Sequence, residues 1–204
     1  MTSPLELAAN VLTALAIVLA GRNNVHTWWT GIVGCSLFGL VFYESRLYAD
    51  VVLQAFFVGT SLLGWWQWLR GNAGQPLAVT HARFRSLLWT LPVGVAATAA
   101  YGLLLKHWTN AYAPFLDSAV LVFSIIAQIL MMRRRIENWA FWLVVNSIAV
   151  PLYATRGLYL TAALYAFYWV NAVVSWRWWL RLAEQAQADA AASPGIGVRP
   201  SMVE

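Results

Sequence analysis

Trp139, Trp142 and Asn146 stand at i, i+3 and i+7 of the run Glu137-Asn138-Trp139-Ala140-Phe141-Trp142-Leu143-Val144-Val145-Asn146-Ser147. On a helix that spacing puts all three on one stripe. Two indole walls with an amide one turn deeper suit a flat heteroaromatic ring. The indoles can stack on it or attract a cation, and the amide both donates and accepts. The competing reading is an interfacial Trp belt and an Asn that joins two helices. Pro151 has no N–H, so the carbonyl of Ser147 loses its helical partner and a kink is expected there.

Further polar residues fall on similar stripes. Asp117, Ser124 and Gln128 lie at i, i+7 and i+11, with Asp117 just after Pro114, where a carboxylate favours a helix N-terminus. Tyr165, Tyr168 and Asn171 are neighbours around a turn or two. Gln128, Ser124, Tyr165 and Tyr168 therefore join the candidate binding set; the role of Asn171 stays open. Bridging between helices is the alternative for the Tyr and Gln side chains.

Other chemistries lack their parts. His26, His81 and His107 sit in loops or at the edges of apolar runs, so no facing pair could ligate haem. The single cysteine, Cys35, lies inside an apolar run and supports neither a disulfide nor a Cys-metal site. No Ser, Asp and His form a nucleophile–base–orienter set. No G-x-x-x-x-G-K-[ST] loop is present to hold a nucleotide phosphate. No cofactor is expected.

The elements that must position these residues are membrane helices. Hydrophobic residues make up 61% of the 204, charged residues only 10%, and the mean hydropathy is +0.62. A soluble domain would carry about 25% charge. The net charge of +5 does not point to nucleic acid, because the basic residues sit between apolar runs and form no stripe. Seven apolar segments are drawn, at Leu5–Ala20, Trp28–Tyr43, Leu47–Leu69, Ser86–Leu105, Phe115–Met132, Trp139–Tyr153 and Leu158–Leu180. Most approach the ~20 residues that span the hydrocarbon. The links Gly21-Arg22-Asn23-Asn24, Glu44-Ser45-Arg46 and Thr155-Arg156-Gly157 read as turns, and Gly71 to Arg85 as a surface loop. The tail from Ala183 reads as disordered. The first segment lacks the basic start and cleavage site of a signal peptide.

Loops 1–2, 3–4 and 5–6 and the C-terminal end hold ten basic residues, and the opposite side holds three. The positive-inside rule then puts the N-terminus outside and the C-terminus in the cytoplasm. The chain also repeats itself, 111 residues apart and in the same direction. Trp28 returns as Trp139, Trp65 as Trp176, Trp68 as Trp179 and Leu69-Arg70 as Leu180-Arg181. Two three-span copies share one orientation only if a single extra span separates them. The expectation is a 3+1+3 bundle: residues 1–70 as one repeat, 71–110 as loop and linking helix, 111–182 as the second repeat, and 183–204 as tail. A pseudo-twofold plan of this kind suits a transporter with its substrate between the halves. The copies diverge where the pocket is expected. Cys35 pairs with Asn146, and Gln54 pairs with Tyr165, which adds Gln54 to the candidate set.

The run Leu116-Asp117-Ser118 through Ala127-Gln128, then Arg133-Arg134-Arg135-Ile136-Glu137-Asn138-Trp139, the Trp139/Trp142/Asn146 stripe and Gly157-Leu158-Tyr159-Leu160-Thr161 resemble the PnuC family of vitamin transporters. The resemblance covers most of the chain. It implies a fold like an enlarged SWEET-type sugar transporter and a substrate of the nicotinamide riboside type, with thiamine or riboflavin as the alternatives within the family. It assigns substrate binding to Trp139, Trp142 and Asn146, and implies a cytoplasmic kinase that traps the cargo. The absence of deep Lys, Arg or paired carboxylates points to facilitated diffusion of a phosphate-free nucleoside. A membrane scaffold and a membrane enzyme are the readings from other classes. A homo-oligomer stays open, though one chain already holds both halves.

Overall fold

The computed structural model describes residues 4–44, 48–71, 74, 77–108, 113–157 and 159–192. Seven helices are described: α1 (Pro4–Gly21), α2 (His26–Glu44), α3 (Tyr48–Arg70), α4 (Phe84–Trp108), α5 (Pro114–Met132), α6 (Asn138–Thr155) and α7 (Tyr159–Ala192). Each expected span lies within one of them, apart from Leu47 and Leu158. These two, with Ser45-Arg46, Asn72, Pro76 and residues 193–204, lie outside the described residues. By length and composition α1, α4 and α5 alone suffice to cross a membrane. The other four are 18 residues or longer but carry Trp, Asn, Gln or Thr, which dilutes their apolar character without breaking the helix. α6 continues through Pro151.

The reading of a disordered tail from Ala183 is corrected over its first part. α7 runs on to Ala192, and Ala183 is buried in the core. The stretch is rich in Ala and Gln, but alanine is the strongest helix former and extends a helix already nucleated.

Contacts between helices define the architecture. α1, α2 and α3 pack in succession, as do α5, α6 and α7, while α4 packs on α5. The two triplets meet through α1 against α7 and α3 against α5. Exchanging the halves turns one of those contacts into the other, as a pseudo-twofold axis requires. The chain is an all-α bundle in 3+1+3 order. Its outer surface is apolar, with Leu7, Val52, Leu88, Val95 and Val174 exposed, as a lipid-facing bundle demands.

The repeat is reproduced at the level of single hydrogen bonds. α1 ends with Asn23 N–H donating to Ala20 O (2.9 Å) and Asn24 N–H to Leu19 O (2.9 Å). α5 ends with Arg134 N–H donating to Met131 O (2.9 Å) and Arg135 N–H to Leu130 O (2.9 Å). Asn23 (φ 54°) and Arg134 (φ 50°) occupy the left-handed region that closes such helix ends.

The link after α3 is stitched to the turn after α5. Thr80 N–H donates to Arg134 O (3.1 Å) and Ile136 N–H to Thr80 O (3.1 Å), a short parallel bridge. Both carboxylate oxygens of Glu137 are used, one by Ala82 N–H (2.7 Å) and one by His81 Nδ1 (2.9 Å). The surface loop is thereby fixed to the second half.

Candidate substrate site in the helical bundle

α6 turns one face inward: Trp139, Phe141, Val145, Asn146, Ala149 and Leu152 are all buried. The stripe read from the sequence lies on this face, with Trp142 half-buried beside Asn146. Asn146 is 3% exposed and makes no hydrogen bond among the described residues. A buried amide without a partner costs free energy unless water or a ligand satisfies it.

Trp139 belongs to a structural cluster as well. Its ring stands edge-on to Trp179 (centroids 5.5 Å), and Trp28 stands edge-on to Trp68 (5.1 Å). Trp68 and Trp179 meet at 5.8 Å, between the halves. All four rings are at most 2% exposed. Trp68 Nε1–H donates to Met131 O (3.1 Å) and Trp179 Nε1–H to Ala20 O (3.2 Å), so each half caps the helix end of the other. Trp28 sits against Gly64, where any side chain would collide with its ring. The Nε1–H groups of Trp28 and Trp139 are buried without partners.

Arg134 lies over Trp68, its guanidinium carbon 4.2 Å from the ring centre, and donates to Leu77 O. Burial lowers its guanidinium to about 10, so it stays charged at neutral pH.

The remaining candidates take separate places. Gln128 is 6% exposed, and its Nε2 donates to Thr60 Oγ1 at 3.4 Å. Ser124 is buried on the same helix. Tyr165 packs on Tyr153 (5.1 Å) and on Tyr168 (5.7 Å), so the two predicted tyrosines meet. Gln54 is half-buried on α3, with its Cβ beside Gly39 of α2. No hydrogen bond joins Gln54 or Gln128 to the α6 stripe among the described residues. Asn171, whose role was open, donates to Ile17 O at 3.3 Å and ties α7 to α1. Asp117, expected to favour the start of α5, receives both of its contacts from Arg156 Nη2 (2.9 and 2.8 Å), which clamps α5 to the end of α6.

Sequence reasoning missed Thr60 and the four-Trp cluster. Thr60 was within reach, since it is the repeat partner of Asn171. The cluster needs the docking of the halves, which no local pattern encodes. Two grooves open elsewhere, about 500 Å³ between α4 and α5 and about 720 Å³ between α1 and α7, and none of the candidates lines them.

A family model described as nicotinamide mononucleotide transporter matches residues 3–181. The chain belongs to this family. Among curated proteins it is similar to the nicotinamide riboside transporter PnuC of Escherichia coli (strain K12), at 27% identity over 89% of this chain and 87% of that protein. The nicotinamide riboside transporter PnuC of Neisseria mucosa is 28% identical over 87% of this chain and 72% of its own. The riboflavin/roseoflavin transporter RibM of Streptomyces davaonensis is 29% identical over 86% and 84%. The fold is similar to a crystal structure of the vitamin B3 transporter PnuC, with TM-score 0.70, 28% identity and coverage of 89% and 82%. The chain is thus a multi-pass membrane transporter of this family.

Proposed function

We propose that the protein carries nicotinamide riboside across the bacterial inner membrane by facilitated diffusion, and that it has no catalytic activity. The observation that carries this reading is the inward face of α6. There Trp139 and Trp142 share a stripe with a buried Asn146 that lies one turn further along the helix and has no hydrogen-bond partner among the described residues. A flat cationic pyridinium can stack on the half-buried indole of Trp142, and its carboxamide can satisfy a buried amide. Gln128, Ser124, Tyr165, Tyr168 and Gln54 complete the set, more of it from the second half than the first.

The family description names a mononucleotide, whereas the PnuC relatives are named for the riboside. The riboside is favoured here on charge. α1, α2, α5 and α6 contain no Lys or Arg, and the Arg134 guanidinium is engaged by Trp68 and Leu77. A phosphate would meet no cation in the middle of the bundle. A cytoplasmic kinase that phosphorylates the arriving nucleoside would make uptake effectively one-way.

The excess of basic residues at the end holding Arg22, Arg70 and Arg133–Arg135 favours a cytoplasmic C-terminus and an outer N-terminus. Residues 1–70 and 111–182 would be the two units that move against each other, joined by 71–110.

Riboflavin is the second reading, because RibM is as similar to this chain as the riboside transporters are. A thermal-shift panel of nicotinamide riboside, thiamine and riboflavin on purified protein separates the cargoes. Stabilisation by the riboside, abolished in Trp142→Ala, is expected. A shift with riboflavin or thiamine alone overturns the substrate assignment.

A further inference from the structure

We infer that Thr60 is a specificity-determining positioning residue, which fixes the sense of the Gln128 amide so that its carbonyl oxygen is the atom presented to the substrate. The inference rests on the transport reading above. It starts from what a threonine hydroxyl can do: it has one proton and two lone pairs. Thr60 Oγ1 lies 3.0 Å from Phe56 O and 3.1 Å from Phe57 O, so its proton is committed to carbonyls of its own helix. Toward Gln128 it can therefore only accept. The group that faces it must be the amide NH2, and Nε2 stands there at 3.4 Å.

That assignment leaves Gln128 Oε1 as the free end. It makes no hydrogen bond among the described residues, on a side chain only 6% exposed. An open carbonyl oxygen on a side chain so little exposed selects a ligand group that donates, such as a carboxamide NH2 or a sugar hydroxyl, and disfavours a carboxylate at the same place. The Thr60 contact is long, and the orientation is set chiefly by the repulsion a reversed amide would meet, with Gln128 Oε1 against the lone pairs of Thr60 Oγ1.

The other half of the bundle shows why the selection is one-sided. Thr60 and Gln128 have Asn171 and Ile17 as repeat partners, and these two are also joined, by Asn171 Nδ2 to Ile17 O at 3.3 Å. There the α1 position offers only its backbone carbonyl, and an Ile side chain can read nothing polar.

The test compares binding of nicotinamide riboside with binding of nicotinate riboside, whose carboxylate cannot donate, to full-length protein. Wild type should prefer the amide. Thr60→Val keeps the shape and removes the acceptor, so Gln128 can reverse and the preference should shrink about tenfold, the scale of one oriented hydrogen bond. Thr60→Ser should restore it, which a packing role for the methyl group would not do. If Thr60→Val fails to fold, Thr60→Ala set against Thr60→Ser supplies the same comparison. An unchanged preference in Thr60→Val or Thr60→Ala overturns the inference. So does a wild type that binds the riboside without preferring the amide, and that result spares the transport reading. A wild type that binds neither ligand sinks both.

Discussion

Trp139 and Asn146 lie on one stripe of α6 and carry different burdens. Trp139 is wedged against Trp179 within the four-ring cluster, whereas Asn146 holds no partner in the protein. Trp139→Ala should therefore cost stability of about 3–5 kcal/mol, as large buried aromatics do, and weaken binding as well. Asn146→Ala removes an amide that the fold does not use. Its melting temperature should stay near wild type while nicotinamide riboside binding falls at least tenfold, the scale of one lost hydrogen bond. Thermal unfolding and a binding titration on the same preparations check both, and a large drop in melting temperature for Asn146→Ala would contradict the assignment. The stripe was legible in the sequence because a 3.6-residue period converts spacing directly into a shared face. The structural share of Trp139 was not, since its partner Trp179 lies forty residues on and is reached only through tertiary packing.

At the scale of elements, the ends of α1 and α5 share one backbone but use different side chains. Asn23 and Arg134 both sit at positive φ, where glycine is less strained. Asn23 Oδ1 is buried without a partner, so Asn23→Gly removes an unsatisfied acceptor together with the backbone strain. It should stabilise the protein by about 0.5–1 kcal/mol. Arg134→Gly relaxes the same backbone but gives up the Trp68 ring and the Leu77 carbonyl. It should destabilise by about 1–2 kcal/mol. Opposite signs in thermal unfolding are the expected result, and stabilisation at both sites would mean that the backbone term dominates. The helices themselves were legible because apolar runs bounded by Gly, Asn and Arg leave few alternatives. The stitching of residues 77–82 to the turn after α5 was not, because loop composition carries no record of its partner. The helical stretch 183–192 is hidden for a related reason: its polar, Ala-rich composition carries no sign that it continues an existing helix.

Across the whole molecule, the parity of spans and the 111-residue repeat made the 3+1+3 order legible, but not how the halves touch. That contact is reciprocal. Trp68 of the first half closes the carbonyl of Met131 in the second, and Trp179 closes that of Ala20 in the first. Both bonds lie at the basic end, on either side of the 5.8 Å contact between the two rings. Replacing either indole by Phe keeps an aromatic ring and leaves the carbonyl with only the backbone bond from Arg134 N–H or Asn23 N–H, at a cost of about 1 kcal/mol in a membrane bundle. Because the sites exchange under the pseudo-twofold, Trp68→Phe and Trp179→Phe should lower the melting temperature by similar amounts. The rings also touch, so the double variant should depart from the sum of the singles by at least about 0.5 kcal/mol. A double-mutant cycle by thermal unfolding in detergent measures both features. Strict additivity would mean that the halves are joined by two independent bonds. A coupled result would mean that they meet through one cooperative contact, which must part as a unit if the bundle is to open at that end.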